Sequence, residues 1–575
     1  MKTKIILLGI FVLAMALRFW HLSSLPEAIN EDEMALGYNA FSLLRNGTDE
    51  YGNKFPIYFE SGGDYKYGLY SYFGTIPVAI FGLSVFSTRF VAALFGSLSI
   101  FVIYLLVREI SKNNNLSLIS AFVLSISPTH VDFSRTAYNN VLGAFFAMAC
   151  TLFFIRWCKK VDLKTLLIAT LFFILAIFSY QAYRVFMPSV LIGIGLIYFI
   201  GSEVKNRVKI GLVLLGFIIL TGLSLIPPQS RTRSQNYSIL VNQPKLTEQF
   251  SEDNQAGTKL ILTRIFHNKA VGIGMGVIKR YLSYLDPSFL FVSVNDNAER
   301  HATPDVGLLY LIEAPLFLLG LLFIFKVINS KEAYIPLILL AASPLAASLV
   351  VEPRSTIRTV VITCAFSAII AVGIYSLIQI KFWGKIFGIL VALAYAANFL
   401  YVFHQYTVHK IYHHPWHNDV GLGEMVNSVN KLQSGYSAVV MAHAHYMPYL
   451  FFNKVLPSDF INNSTFSEKP AGGEIRTKRY GKIYFNMPYD CPPAGKTGVL
   501  YVCFGNKVPD AAKVINVIRY RDTLPAIVLV EFEAGRNIIN PRPSLPERLE
   551  YMREVPKEFP LGILPENYEN FWPTK

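Results

Sequence analysis

Apolar residues along this chain fall into long blocks rather than into the short repeats of amphipathic helices or strands. Most blocks approach the roughly 20 residues that a helix needs to cross a hydrocarbon core of about 30 Å. Twelve blocks can be read, near residues 3–20, 69–86, 88–107, 116–128, 138–156, 164–180, 184–201, 208–226, 305–327, 333–351, 357–379 and 385–404. The pattern predicts a polytopic α-helical membrane protein.

The basic residues between the blocks decide how many of them cross. Positively charged connectors are retained on the cytoplasmic side. The clusters are Lys2/Lys4, Arg108/Lys112, Arg156/Lys159/Lys160/Lys164, Lys205/Arg207/Lys209, Lys326/Lys331 and Lys381/Lys385. They all share one side only if block 69–86 does not cross. We therefore predict about 11 transmembrane helices, with 69–86 as a re-entrant or interfacial helix inside a first outer loop, 21–87.

The same count predicts the orientation of the chain in the plasma membrane. The N-terminus is then cytoplasmic, and the loops 128–138 and 227–304 and the tail 405–575 lie outside. A cleavable signal peptide is the alternative for the first block. It is disfavoured because Arg18, Phe19 and Trp20 follow that block at once, as an interfacial anchor would.

Composition agrees with a membrane protein and excludes a nucleic-acid binder. The 575 residues are 53% hydrophobic and only 16% charged, with a mean hydropathy of +0.40. The net charge of +14 would suit nucleic acid, but the basic residues sit in short clusters between apolar blocks, where orientation bias places them.

The tail differs in composition from the rest. We predict a transmembrane domain over 1–404 and an extracytoplasmic soluble α/β domain over 405–575. Strand-like runs occur at 438–441, 498–502 and 526–530, and a helix is expected from Asp419 to Leu432. Cys491 and Cys503 lie in this tail and are expected to pair if it is outside the cell.

The acidic pair Asp32-Glu33 opens the first outer loop. Apolar residues recur at helical spacing from Asp32 to about Arg45, which predicts a surface-lying amphipathic helix with acids at its start. The acids then either complement the helix N-terminus or supply a general base or cation ligand.

Cationic residues at the outer ends of the blocks are candidates for holding an anionic ligand. Each one alone is explained by snorkelling to the interface, but several guanidiniums at one interface suit a lipid phosphate or diphosphate. The candidates are Lys66, Arg135, Arg184, Arg354 and Arg358. No metal site is predicted, although a divalent cation stays possible as a cofactor. The histidines His404, His409, His413, His414 and His417 lack a cysteine or acid at matching spacing.

The order of several short motifs over residues 5–405 resembles GT-C membrane glycosyltransferases of glycosyltransferase family 39 and its bacterial relatives, the protein O-mannosyltransferases and aminoarabinose transferases. The motifs that support this resemblance are Asp32-Glu33 with Tyr38 and Ala40, Asn46-Gly47-Thr48-Asp49, Gly52-Asn53-Lys54-Phe55-Pro56, Tyr67-Gly68-Leu69-Tyr70, Phe81-Gly82-Leu83-Ser84 before Thr88-Arg89-Phe90, and Ser127-Pro128 before Ser134-Arg135.

The resemblance implies a GT-C fold and inverting transfer of a sugar from a polyprenyl-phosphate carrier to an outer-face acceptor, which is a lipid, a glycan or a protein. Asp32, with Glu33, would be catalytic. The lipid-phosphate or substrate contacts would come from Lys66, Tyr67, Asp132, Arg135, Arg184, Arg354 and Arg358. Asn139 and Asn140 stand where relatives often have a second acid, so either Asp132 substitutes for that acid or the second carboxylate is dispensable.

Three other functions stay open from the sequence. A GT-C transferase could use a diphosphate-linked donor. A transporter or flippase for a polyprenyl-linked lipid would show charges near mid-span and paired halves; Glu313 is the main mid-block charge. An inactive structural membrane protein is the last alternative.

Overall fold

A computed structural model describes residues 1–533 except 62–63, 231–237, 240–243, 295–301, 351–353, 359, 414–418, 443–444, 468–475, 488–490, 493 and 506. The described residues divide into two compact units, one up to 413 and one from 419. The predicted boundary at 404 lies within the first of these units and stays a prediction. A π-helical turn, Gln405–His409, continues the last long helix, and Lys410 bonds back to Asp132 in the first unit.

The first unit is almost wholly helical, as the apolar blocks predict. Its helices are α1 (Lys2–Phe19), α2 (Glu31–Asn46), α3 (Leu69–Phe81), α4 (Val85–Ser111), α5 (Asn114–Ile126), α6 (Pro128–Ser134), α7 (Asn139–Lys160), α8 (Leu163–Ser179), α9 (Tyr183–Phe199), α10 (Val204–Ser224), α11 (Pro244–Gln255), α12 (Leu260–Phe266), α13 (Lys269–Ser283), α14 (Pro287–Phe291), α15 (Glu313–Val327), α16 (Tyr334–Ala342), α17 (Leu345–Ser348), α18 (Ile362–Ile378) and α19 (Gly384–His404).

Four helices of the described residues are long and apolar enough to cross a membrane by length and composition. They are Val85–Ser111, Asn139–Lys160, Val204–Ser224 and Gly384–His409, and a fifth is added if α5 and α6, bent by 59°, form one span. The shorter apolar helices are Leu69–Phe81, Leu163–Ser179, Tyr183–Phe199 and Ile362–Ile378. The count of 11 spans stays a prediction, because several predicted blocks are broken into shorter helices.

Helix α2 forms where the acidic start and apolar spacing predict it, with sharp boundaries at both ends. At its start, the Asn30 side chain accepts from the Glu33 amide at 3.0 Å and Glu33 reaches back to the Asn30 amide, a capping box. At its end, Gly47 takes a left-handed conformation, with φ of 68°. It does not lie on a surface as predicted. Every residue from Glu33 to Leu43 is buried, because α3 and α4 pack against it.

A two-stranded ribbon follows α2 in the first predicted outer loop. Strands β1 (Tyr58–Ser61) and β2 (Asp64–Tyr67) pair antiparallel, with Tyr58 opposite Tyr67 and Phe59 opposite Lys66. The ribbon leads directly into α3, whose 13 residues rise only about 20 Å at 1.5 Å each. The interfacial or re-entrant placement of 69–86 stays a prediction.

The second unit contains a seven-stranded sheet with helices, and the assignment of the tail as an extracytoplasmic α/β domain stays a prediction. Its elements are α20 (Leu422–Leu432), β3 (Ala438–Ala442), α21 (Tyr446–Asn453), α22 (Pro457–Asn463), β4 (Ser464–Phe466), β5 (Thr477–Tyr480), β6 (Ile483–Met487), β7 (Val499–Phe504), β8 (Ala512–Arg519) and β9 (Pro525–Phe532). The sheet order is β4-β5-β6-β3-β7-β9-β8, with β3 parallel to both neighbours. Cys491 and Cys503 are disulfide-bonded, so that predicted pairing is confirmed.

Candidate active site

The start of α2 and the strand β2 bring two of the predicted site residues into direct contact. Lys66 Nζ donates to Asp32 Oδ1 at 2.6 Å. The Asp32 side chain is 39% exposed and that of Lys66 is 15% exposed. Asp32 sits in the first turn of α2, where the unsatisfied backbone amides favour a carboxylate. The pair therefore combines a solvent-reachable carboxylate with a fixed cation.

Glu33 points the other way and is buried, with only 1% of its side chain exposed. Arg89 donates to it twice, from Nε to Oε2 at 2.9 Å and from Nη2 to Oε1 at 3.1 Å. The Ala137 amide donates to Oε2 at 2.7 Å. Glu33 also accepts the capping hydrogen bond from the Asn30 amide. Because all these hydrogen bonds converge on one carboxylate, Glu33 holds the start of α2 in place. The catalytic expectation for the acidic pair then rests on Asp32 alone.

Arg89 is a residue of the site that the sequence argument counted only as part of a motif. Its side chain is fully buried on α4 and donates to the carbonyls of Leu22, Pro26 and Ala28, at 3.3, 2.9 and 2.5 Å. It thereby ties the segment that leads into α2 to the helix bundle. A signal was present: an arginine inside a long apolar block needs a buried acidic partner.

Arg184 and Tyr67 meet on the other face of the ribbon. The Arg184 guanidinium lies 5.1 Å from the Tyr67 ring centroid, and its Nη2 donates to the Tyr58 hydroxyl at 2.5 Å. It also donates to the Ser230 hydroxyl. Its buried Nε has no hydrogen-bond partner among the described residues. Because side chains alternate along a strand, Tyr67 and Lys66 face opposite sides of the ribbon.

Arg135 and Asp132, on and just after α6, bond inside the protein rather than at an open surface. Arg135 is 1% exposed and donates to the carbonyls of Leu17 and Trp20, both at 2.6 Å. Asp132 accepts from Lys410 Nζ at 2.6 and 2.8 Å, and both side chains are at most 10% exposed. Both residues therefore have partners within the first unit, and their role as lipid-phosphate or substrate contacts stays a prediction.

Arg354 contacts residues of the predicted outer loop 227–304. It donates to the Ser283 carbonyl at 3.0 Å, lies 3.7 Å from Asp286, and covers the Phe289 ring at 4.2 Å. A hydrogen bond from the Ser288 amide, aided by Arg354, lowers the pKa of Asp286. Arg354 therefore already has a carboxylate partner.

The two asparagines at the start of α7 hold the ribbon and the segment before α18. Asn139 Nδ2 donates to the Tyr67 carbonyl at 3.3 Å, and Asn140 Nδ2 donates to the Ile357 carbonyl at 3.1 Å. Ile357 precedes Arg358 in the 3₁₀ turn Thr356–Arg358. The asparagines thus donate to backbone carbonyls in the place where relatives often have a second acid.

The predicted cations have different partners, and whether they act together on one ligand stays a prediction. Lys66 contacts Asp32, and Arg184 contacts the Tyr67 ring. Arg135 and Arg354 donate to backbone carbonyls of other segments. Within the described part of the chain, no group of three or more His, Cys, Asp or Glu is arranged to hold a metal ion.

Comparison with known proteins confirms the resemblance stated from the motifs. Residues 69–227 match the family described as dolichyl-phosphate-mannose-protein mannosyltransferase. That stretch includes Arg135 and Arg184 but not Asp32 or Lys66. The protein named "Putative mannosyltransferase YycA" of Bacillus subtilis (strain 168) is 34% identical over 151 residues, which is 26% of this chain and 22% of that relative.

Three solved structures match this backbone in whole or in part, each with a TM-score below 0.5. ArnT from Cupriavidus metallidurans in the apo state is 8% identical with a TM-score of 0.49, over 91% of this chain and 97% of that one. The Archaeoglobus fulgidus oligosaccharyltransferase in the apo form is 15% identical with a TM-score of 0.48, over 79% and 64%. The S. cerevisiae protein O-mannosyltransferase Pmt1-Pmt2 complex is 18% identical with a TM-score of 0.32, over 39% and 33%.

Proposed function

We propose that this chain is an inverting glycosyltransferase that moves a sugar from a polyprenyl-phosphate carrier to a hydroxyl of an acceptor, which is a lipid, a glycan or a protein. One observation carries the proposal. A partly exposed carboxylate, Asp32, contacts the ammonium of Lys66 at a helix start that a buried ion pair holds in place. The match of residues 69–227 to a mannosyltransferase family supports the same reaction class.

In the proposed reaction, Asp32 accepts the proton of the acceptor hydroxyl as that oxygen attacks the anomeric carbon. The new carbon–oxygen bond forms on the face opposite the carrier, so the configuration is inverted. The bond between the anomeric carbon and the phosphate oxygen breaks, and its electron pair leaves on the phosphate. Lys66 then stabilises the negative charge that grows there.

The same lysine links donor binding to the readiness of the base. In the structure Lys66 is paired with Asp32. A donor phosphate carries a stronger set of acceptor oxygens and would draw the ammonium away. Asp32 is then released to receive a proton from the acceptor hydroxyl. Donor binding therefore prepares the carboxylate for the acceptor.

We place the site and the second unit on the outer face of the plasma membrane, with the N-terminus inside. The positive clusters support this orientation. The disulfide between Cys491 and Cys503 supports it independently, since such bonds persist in oxidising compartments.

The test uses purified, reconstituted protein and a panel of radiolabelled polyprenyl-phosphate sugars, with transfer to membrane lipids and glycans as the readout. Asp32→Asn is expected to abolish transfer while the thermal unfolding midpoint stays close to that of the wild type. Glu31→Gln, one residue earlier on the same helix, is the matched control and should retain transfer. Normal turnover by Asp32→Asn would refute the proposal.

A further inference from the structure

Helix α13 carries an exposed apolar stripe that nothing in the proposed reaction uses. Val271, Met275, Ile278 and Leu282 are 39%, 49%, 54% and 58% exposed. Their spacing of four, three and four residues puts them on one face of the helix. The preceding α12 adds Leu260, Ile261 and Phe266, which are 59%, 68% and 61% exposed. Large apolar side chains grouped in this way mark an interaction surface.

The charge of the same segment is entirely positive. Residues 259–283 contain Lys259, Arg264, Lys269, Lys279 and Arg280 and no Asp or Glu. The segment does have one acidic contact, from Asp253 of α11 to His267, at 2.6 Å. Lys279 lies next to the apolar stripe on the helix surface. Its aliphatic stem can therefore lie along the stripe while its ammonium extends to a polar environment. Such a surface is complementary to anionic phospholipid headgroups.

Neither α12 nor α13 has the length and composition of a candidate span, and α13 packs against other helices of the first unit. Neither belongs to the described helices whose length and hydropathy allow crossing, nor to the shorter apolar ones. The face of α13 away from the stripe packs on α17, and Gly276 on that face lies against Ile239. The Tyr281 hydroxyl donates to the Ala341 carbonyl at 2.8 Å. The stripe therefore points away from the protein.

We propose that α12 and α13 form a docking surface for a bilayer that carries anionic phospholipid, with the stripe in the acyl boundary, Lys279 among the headgroups beside it and Lys269 at the start of the helix adding to the positive charge. A spanning helix excludes three charges in 15 residues, whereas an interfacial helix uses them. The last carbonyl of α13 accepts from Arg354, so the docked helix would also hold Arg354 in place.

The test measures how deeply α13 lies in the bilayer, from the quenching of an attached fluorophore by brominated acyl chains. The full chain is reconstituted into vesicles of phosphatidylcholine alone or of phosphatidylcholine with phosphatidylglycerol. A fluorophore is attached at Met275→Cys or Ile278→Cys. Leu212→Cys on the span α10, 63% exposed, marks lipid contact, and Val514→Cys on β8, 49% exposed, marks water contact. Ile273→Cys, on the other side of α13, is the control within the helix.

Quenching at Met275 and Ile278 should reach the level at Leu212 in the anionic vesicles, with Ile273 near the level at Val514. Lys269→Gln with Lys279→Gln should lower quenching at Met275 in anionic vesicles and leave it unchanged in neutral ones. Quenching at Met275 no greater than at Val514 overturns the proposal. Cross-linking of Met275→Cys to a second copy, without quenching, overturns it too. Equal quenching in neutral and anionic vesicles would refute the proposed preference for anionic phospholipid.

Discussion

Glu33 and Arg89 form a bidentate ion pair in which neither side chain is more than 1% exposed. Two neighbouring acids on one helix start thus have opposite surroundings: Glu33 is enclosed by donors, and Asp32 is left where solvent and a substrate can reach it. The ion pair fixes the helix start, and the helix start fixes Asp32 against Lys66. The following predictions rest on that division.

Glu33→Gln should destabilise the protein severely, because it leaves the Arg89 guanidinium buried without its charge partner. Removal of one partner of a buried pair costs about 3–5 kcal/mol. The thermal unfolding midpoint in detergent should fall accordingly. The double variant Glu33→Gln with Arg89→Met removes both charges and should recover part of the loss. A midpoint unchanged from the wild type in Glu33→Gln would show that the pair contributes little.

Lys66→Met should lower kcat and weaken donor binding while the protein stays folded. The ion pair with Asp32 is partly exposed, so its loss costs less than about 1 kcal/mol of stability. Loss of the charge that faces the departing phosphate should cost about 10²–10³-fold in kcat. Lys66→Arg keeps the charge and should recover part of the rate. A loss confined to the acceptor KM would contradict a role at the phosphate.

Arg184→Met should weaken donor binding more than it lowers kcat if its unsatisfied Nε serves a bound phosphate. Arg184→Lys keeps the charge but not the planar fork that meets Tyr58 and Ser230, so it should only partly restore binding. Tyr58→Phe removes one acceptor of this arginine and serves as the matched control for a purely structural effect. Equal losses of binding in Tyr58→Phe and Arg184→Met would indicate that the arginine only supports the ribbon.

Asp132→Asn should cost stability without removing transfer from the folded fraction. Its carboxylate accepts twice from buried Lys410, so the variant strands a buried ammonium, at about 3–5 kcal/mol. Lys410→Met combined with Asp132→Asn should be less destabilised than either single variant. If folded Asp132→Asn is inactive, Asp132 is the missing second acid after all.

The helical membrane unit, the α/β tail and the helix that starts near Asp32 could be read from the sequence because each depends on a local pattern. Helices form over the apolar blocks, although several blocks break into shorter helices than predicted. Strands form at the strand-like runs 438–441, 498–502 and 526–530, and a helix begins at the acids before the helical repeat. The motif order also identified the resemblance that residues 69–227 confirm.

The sequence by itself determined the kinds of elements in this protein and the residue types available for chemistry. Only the tertiary structure decided which of those residues share a site. Two adjacent acids look alike in sequence, but the packing of α4 against α2 buries Glu33 on Arg89 and leaves Asp32 to Lys66. Likewise, five outer cations look alike in sequence, but only the fold shows that Arg135 donates to the carbonyls of Leu17 and Trp20. Burial and long-range hydrogen bonding depend on residues far apart in the chain, and no local pattern encodes them.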